Sequence, residues 1–114
     1  MTRNKVVLVP FPFDDLSAAK IRAAVCLTDP IGPHRHVVLA FVTSQVPSTP
    51  LETDVTIDAR EPDFSQTGLR MSSVLRLHRL MTVTSSVIQR ELGEVPESLQ
   101  ADVRCKLRKL FGLG

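Results

Sequence analysis

Val37-Val38-Leu39-Ala40-Phe41-Val42 runs for six residues without a polar side chain, and Thr43-Ser44-Gln45 follows it at once. β-Branched and aromatic residues suit a pleated strand, and a short unbroken apolar run bounded by turn signals fits a strand buried on both faces. On its N-terminal side, Asp29-Pro30-Ile31-Gly32-Pro33 is an emphatic turn, and residues 22–27 read as another strand. Further back stands a second apolar run, Val6-Val7-Leu8-Val9. Pro10 and Pro12 lack an N–H, so a regular central ladder is expected to stop there. Residues 14–20 read as a loop. On the C-terminal side, Val46-Pro47-Ser48-Thr49-Pro50 interrupts the strand. Val55 and Ile57 then alternate with Asp54, Thr56 and Asp58, which predicts a half-exposed strand. Residues 61–68 read as loop and 73–77 as strand, with 80–83 continuing after a bend.

The end of the chain changes period. From Pro96 onward Leu99, Val103, Leu107 and Leu110 recur at spacings of 4, 4 and 3, which is one face of an amphipathic helix. Proline fits a first helical turn. Glu97 and Asp102 stand toward the positive end of the helix dipole, and Arg104, Lys106, Arg108 and Lys109 toward its negative end. Gly112 then stops the helix. Several short strands followed by one helix predict a mainly β fold, a small β-barrel with a C-terminal α-helix on its flank. The β–α alternation of a Rossmann fold is absent, as are its glycine fingerprint and the phosphate-loop motif.

Composition narrows the function classes. The chain has 114 residues, which predicts one domain spanning 1–114. Its 43% hydrophobic and 23% charged residues are ordinary for a folded globular protein. No apolar stretch reaches the length of a membrane span, and residues 1–4 lack the apolar core of a secretory signal, so a cytoplasmic location without membrane contact is expected. Cys26 and Cys105 stand far apart and are expected as reduced thiols. A net charge of +2 does not by itself mark a nucleic-acid binder, so any anion site must arise from local placement of Arg and Lys. Five Phe and no Trp or Tyr argue against a wide base-stacking platform. His34-Arg35-His36 is a weak metal pattern, and Asp14-Asp15 is ordinary turn chemistry.

Several blocks stand out: Val7-Leu8-Val9-Pro10-Phe11-Pro12-Phe13 with Asp15-Leu16-Ser17, Lys20 and Arg22; Phe41-Val42-Thr43-Ser44-Gln45; Gly68-Leu69-Arg70 with Ser73-Val74-Leu75-Arg76-Leu77 and Leu80; and Leu92-Gly93-Glu94-Val95-Pro96-Glu97. Taken together they resemble the MazF/PemK-like toxins, and they occur in that family's order over nearly the whole chain. The resemblance implies an SH3-like barrel of the CcdB/PemK type, paired as a homodimer. It implies an endoribonuclease that cuts single-stranded RNA at short sequences with no metal or other cofactor, and a cognate antitoxin that covers the active site. CcdB-like relatives instead grip DNA gyrase without cutting RNA, so a non-catalytic binding toxin is the alternative. A degenerate toxin that only binds its antitoxin is a third.

RNA carries its own nucleophile, so the enzyme need supply only proton transfer and positive charge on the phosphorane-like oxygens. Under the resemblance, Arg22 is the first catalytic candidate, since a guanidinium forks onto phosphate oxygens. Thr43 offers a hydroxyl, and Ser44 and Gln45 are candidate RNA contacts; hydroxyls here also read as turn chemistry. Arg76 and His78 stand two apart, which in a regular strand places both on one face as further catalytic candidates. His78 replaces the family's usual Asp, and imidazole can serve as a base near neutral pH. The family's Pro after the Arg is Ala23 here. Lys20, Arg35, Arg70 and Arg79 are candidate phosphate contacts, although cations at such positions are more often ordinary solvated charges.

Overall fold

The curled sheet begins with β1 (Lys5–Phe11), β2 (Lys20–Cys26) and β3 (His36–Thr43), followed by β4 (Asp54–Ile57), β5 (Ser73–Thr84) and β6 (Arg90–Glu94). The helix α1 (Glu97–Phe111) closes the chain. The computed structural model describes residues 1–11 and 20–114; Pro12, the Asp14-Asp15 pair and all of the expected 14–20 loop except Lys20 lie outside the described residues. The strands form one antiparallel sheet in the order β4-β5-β3-β2-β1-β6. It is a mainly β half-barrel with a C-terminal helix, the expected fold class.

Two apolar clusters explain why the central strands read as unbroken apolar runs. Neighbouring residues go to opposite clusters: Val6 to one and Val7 to the other, Val25 and Ala24, Ala40 and Leu39, Val42 and Phe41. A strand turns successive side chains to opposite faces, so a strand covered on both sides must be apolar throughout. Leu99, Val103, Leu107 and Leu110 of α1 pack on the first cluster, against Val55, Ile57, Leu75 and Leu77. Gly112 ends the helix in the left-handed region at φ 67, with the Leu113 N–H donating to the Arg108 carbonyl at 2.8 Å.

Three features differ from the expectations. The β1–β2 ladder runs straight through Pro10, which pairs with Ile21. Leu8 faces β6, since its carbonyl accepts from the Gln89 N–H at 2.9 Å. By two-residue alternation Pro10 faces the same way, beyond the end of β6 at Arg90, so its missing N–H is not required. The second difference is β6 itself, an edge strand too polar to stand out in the sequence. Third, Asp54 is buried rather than half-exposed.

The two halves expected on either side of a bend, 73–77 and 80–83, join as β5. Ala40 pairs with Leu80 and Val42 with Leu75, so two steps along β3 span five along β5. Four residues, 76–79, thus stand opposite Phe41 alone, three more than a regular ladder needs, and they bulge out of the β3–β5 ladder.

Candidate functional site

At this bulge the sheet opens into a cleft of about 880 Å³, lined from five directions. Ile21 and Arg22 come from β2, Thr43 to Pro47 from the end of β3, Gly68 to Met71 from the segment before β5, Arg76 and Arg79 from the bulge, and Arg90 and Leu92 from β6. Phe11 and Phe41 are part of the lining as well. Among the described lining residues there are five arginines and no aspartate or glutamate.

Each arginine is delivered by a local feature of the chain. Ala24 pairs with Phe41 across β2 and β3, and the same count run two residues past that pair sets Arg22 level with Thr43. The most apolar strand thus ends in a hydroxyl that lines the same cleft as Arg22. Arg22 is exposed and Thr43 half-buried. The Thr43 oxygen accepts the Gln45 N–H at 3.1 Å, a tight turn that fixes the hydroxyl's place. Its proton has the Gln45 carbonyl at 3.5 Å, a contact too long to hold it firmly.

Arg70 rides on a segment pressed against β6. Gly68 adopts φ 70, and a Cβ there would collide with the Leu92 carbonyl; a Cβ on Gly93 would collide with the carbonyl of Gln66. Glycine at both positions permits the close backbone approach. Leu92 is the residue left over where β6 slips against β1, since Val6 pairs with Gly93 and Val7 with Glu91.

The bulge delivers Arg76 and Arg79. Arg76 stands across from Asp54 and meets its carboxylate through Nε at 3.1 Å and Nη2 at 3.3 Å. The Arg79 guanidinium lies over the Phe11 ring, 5.2 Å from its centroid, and Phe11 meets Phe41 edge-on at 4.6 Å.

Of the sequence candidates, the structure brings together Arg22, Thr43, Ser44, Gln45, Arg70 and Arg76. Arg79 joins them. His78 does not line the cleft; it is exposed. The shared face expected for Arg76 and His78 requires a regular strand, and the bulge breaks the alternation. Lys20 is exposed at the start of β2, outside the cleft lining. Arg35 sits at φ 53 in the β2–β3 turn, away from the cleft. The sequence reading missed Arg90, because β6 itself was not legible, and Asp54, whose partner lies 22 residues away.

The thiols differ as their positions dictate. Burial, with the Glu91 charge adding to it, pushes Cys26 up to about 11, while Cys105 is exposed on α1.

A curled six-stranded antiparallel sheet with one C-terminal helix is the fold of MazF-like toxins. The chain belongs to the PemK-like, MazF-like toxin family of type II toxin-antitoxin systems, whose family model matches residues 2–111. Among solved structures it resembles the Mycobacterium tuberculosis toxin MazF-mt6, at 22% identity and TM-score 0.74, covering 96% of this chain and 98% of that one. An endoribonuclease in complex with its cognate antitoxin, from Mycobacterial species, matches at 14% identity and TM-score 0.72 over 100% and 97% of the two chains. A MazE-MazF structure from Deinococcus radiodurans matches at 20% identity and TM-score 0.67, also over 100% and 97%. No curated protein matches the chain in sequence.

Proposed function

We propose that this protein is a sequence-specific endoribonuclease toxin that cuts single-stranded RNA in the arginine-lined cleft without a metal ion. The observation that carries the reading is the convergence of five guanidinium groups, the Thr43 and Ser44 hydroxyls and the Gln45 amide on one open cleft that no described acidic side chain lines. A cleft lined by so many cations and no described carboxylate favours a polyanion such as a phosphodiester chain.

The ribose 2′-oxygen attacks the adjacent phosphorus and the P–O5′ bond breaks. The 2′-OH gives its proton to solvent water, the departing O5′ takes one from solvent water, and the products end in a 2′,3′-cyclic phosphate and a 5′-OH. Arg22 holds the non-bridging oxygens as negative charge gathers on them. The Thr43 hydroxyl is anchored through its oxygen by the Gln45 N–H and turns its proton to the same phosphate. Arg76 is the third catalytic group. No described imidazole or carboxylate lines the cleft, so the reading puts the catalytic weight on charge stabilisation and assigns His78 no catalytic role. Ser44, Gln45 and Arg70 contact the flanking RNA. Lys20 meets the strand only outside the cleft.

The protein acts in the cytoplasm, pairs as a homodimer and is held in check by a cognate antitoxin over the cleft. The family membership and the antitoxin-bound relatives support the last of these. Among the described residues, no helix is long and apolar enough to cross a membrane.

The test is incubation of the purified protein with RNAs of varied sequence in EDTA, followed by mapping of the ends. Cleavage at a short recurring sequence with cyclic-phosphate ends is expected. Intact RNA throughout would move the reading to a non-catalytic toxin that binds gyrase or its antitoxin alone.

A further inference from the structure

The cleft also contains a held arginine whose holder the sequence does not announce. Asp54 lies directly across the β4–β5 pair from Arg76, and its side chain is only 4% exposed while that of Arg76 is 22% exposed. One carboxylate oxygen accepts from Arg76 Nε; the other accepts from Nη2 and from the Leu51 N–H at 2.9 Å. The backbone at this residue is pinned too. Lys106 of α1 donates from Nζ to the Asp54 carbonyl at 2.8 Å and is itself paired with Asp102 at 3.1 Å.

A buried ion pair loses hydration on both partners, so a well-packed apolar pair in its place is often as stable or more so. Stability alone therefore gives little reason for a carboxylate at position 54. Geometry gives a better one. A guanidinium has two edges that can each fork onto a pair of oxygens. Asp54 occupies the Nε–Nη2 edge and fixes the plane of the group, leaving the Nη1–Nη2 edge for a second pair of acceptors. Arg76 lines the cleft and its side chain is partly exposed, so that pair would be two oxygens of one phosphate bound there.

We propose that Asp54 is a positioning residue: it aims the Arg76 fork at the RNA phosphate, and acts on the reaction only through Arg76. The proposal rests on the reading of the cleft as an RNA-cleaving site. It makes a prediction opposite in sign to plain electrostatics. Removing a negative charge beside a polyanion site should tighten RNA binding and leave the chemistry alone. A positioning role requires the chemical step to slow even though RNA binds as well or better.

The experiment is a double-mutant cycle on the full chain, with Asp54→Asn, Arg76→Ala and both together, each checked for its circular-dichroism melt. We expect Asp54→Asn to lower kcat by about 10- to 100-fold with KM unchanged or reduced. We expect Arg76→Ala to lower kcat at least as much, and the double variant to be no slower than Arg76→Ala. Unchanged kcat in Asp54→Asn, or losses that simply multiply, overturns the proposal. Should Asp54→Asn fail to fold, Arg76→Lys decides: it retains the charge without the planar fork, so kcat near that of Arg76→Ala supports the proposal and parental kcat contradicts it. If the parent cuts no RNA, the ribonuclease reading fails. The same cycle is then read as affinity for a 2′-O-methyl oligonucleotide, where non-additive changes support the held fork. Additive changes, or no binding by the parent, overturn it.

Discussion

The core cluster on which α1 packs contains Val6, Val25, Val42, Val55, Ile57, Leu75 and Leu77 of the sheet, all aliphatic and all buried. The cleft presents Arg22, Arg70, Arg76, Arg79 and Arg90. The same strands build both regions: Leu75 belongs to the core and Arg76, next in the chain, to the cleft. The first region gains stability from every side chain that leaves water. The second gathers five arginines on one cleft, an arrangement that favours an anionic ligand. Stability and function are thus written on different sets of residues, and substitutions should separate them.

The largest effect expected is at Arg22. Arg22→Ala should lower single-turnover RNA cleavage by about 10²- to 10³-fold, the range for losing one donor to a developing oxyanion, while the melting temperature stays at the parental value. A melt lowered in step with activity would erase the separation. In the core, Ile57→Ala should lose about 2–5 kcal/mol in denaturant unfolding and cut RNA at the parental rate per folded molecule. Smaller again is Thr43→Val, which keeps the shape but removes both the phosphate donor and the acceptor for Gln45; about tenfold slower cleavage is expected, roughly the worth of one neutral hydrogen bond. The smallest effect concerns Cys26. Its folded pKa is raised above that of the unfolded chain, so the stability it contributes is present below pH 9 and falls as pH rises toward 11. Chemical denaturation at pH 8 and pH 10.5, compared with Cys26→Ala, reads that slope. At pH 8 a thiol reagent should modify Cys105 alone until the chain unfolds.

The two regions also differ in how far the sequence exposes them. The core was legible because its signals are local: four apolar residues at helical spacing give α1, and two unbroken runs give β1 and β3. Family resemblance then pointed to Arg22, Thr43 and Arg76, and the fold does bring these to one cleft. What stayed hidden depends on register. The three extra residues in β5 leave no mark on composition, yet they send Arg76 and Arg79 to the cleft and His78 elsewhere. Asp54 sits in a run that alternates like a half-exposed strand, and only its cross-strand neighbour explains why it is buried. The polar edge strand β6 has one leucine among five residues, so nothing local distinguishes it from a loop, and Arg90 was missed with it.

The central claim is that Arg22 and Thr43 hold one phosphate between them. A crystal structure of the protein with a 2′-O-methyl oligonucleotide spanning its mapped cleavage site tests this directly. The account predicts a phosphate oxygen within about 3 Å of both the Arg22 guanidinium and the Thr43 hydroxyl, with the strand continuing past Arg76. An oligonucleotide bound on another face, with the arginine cleft facing only water, would contradict it.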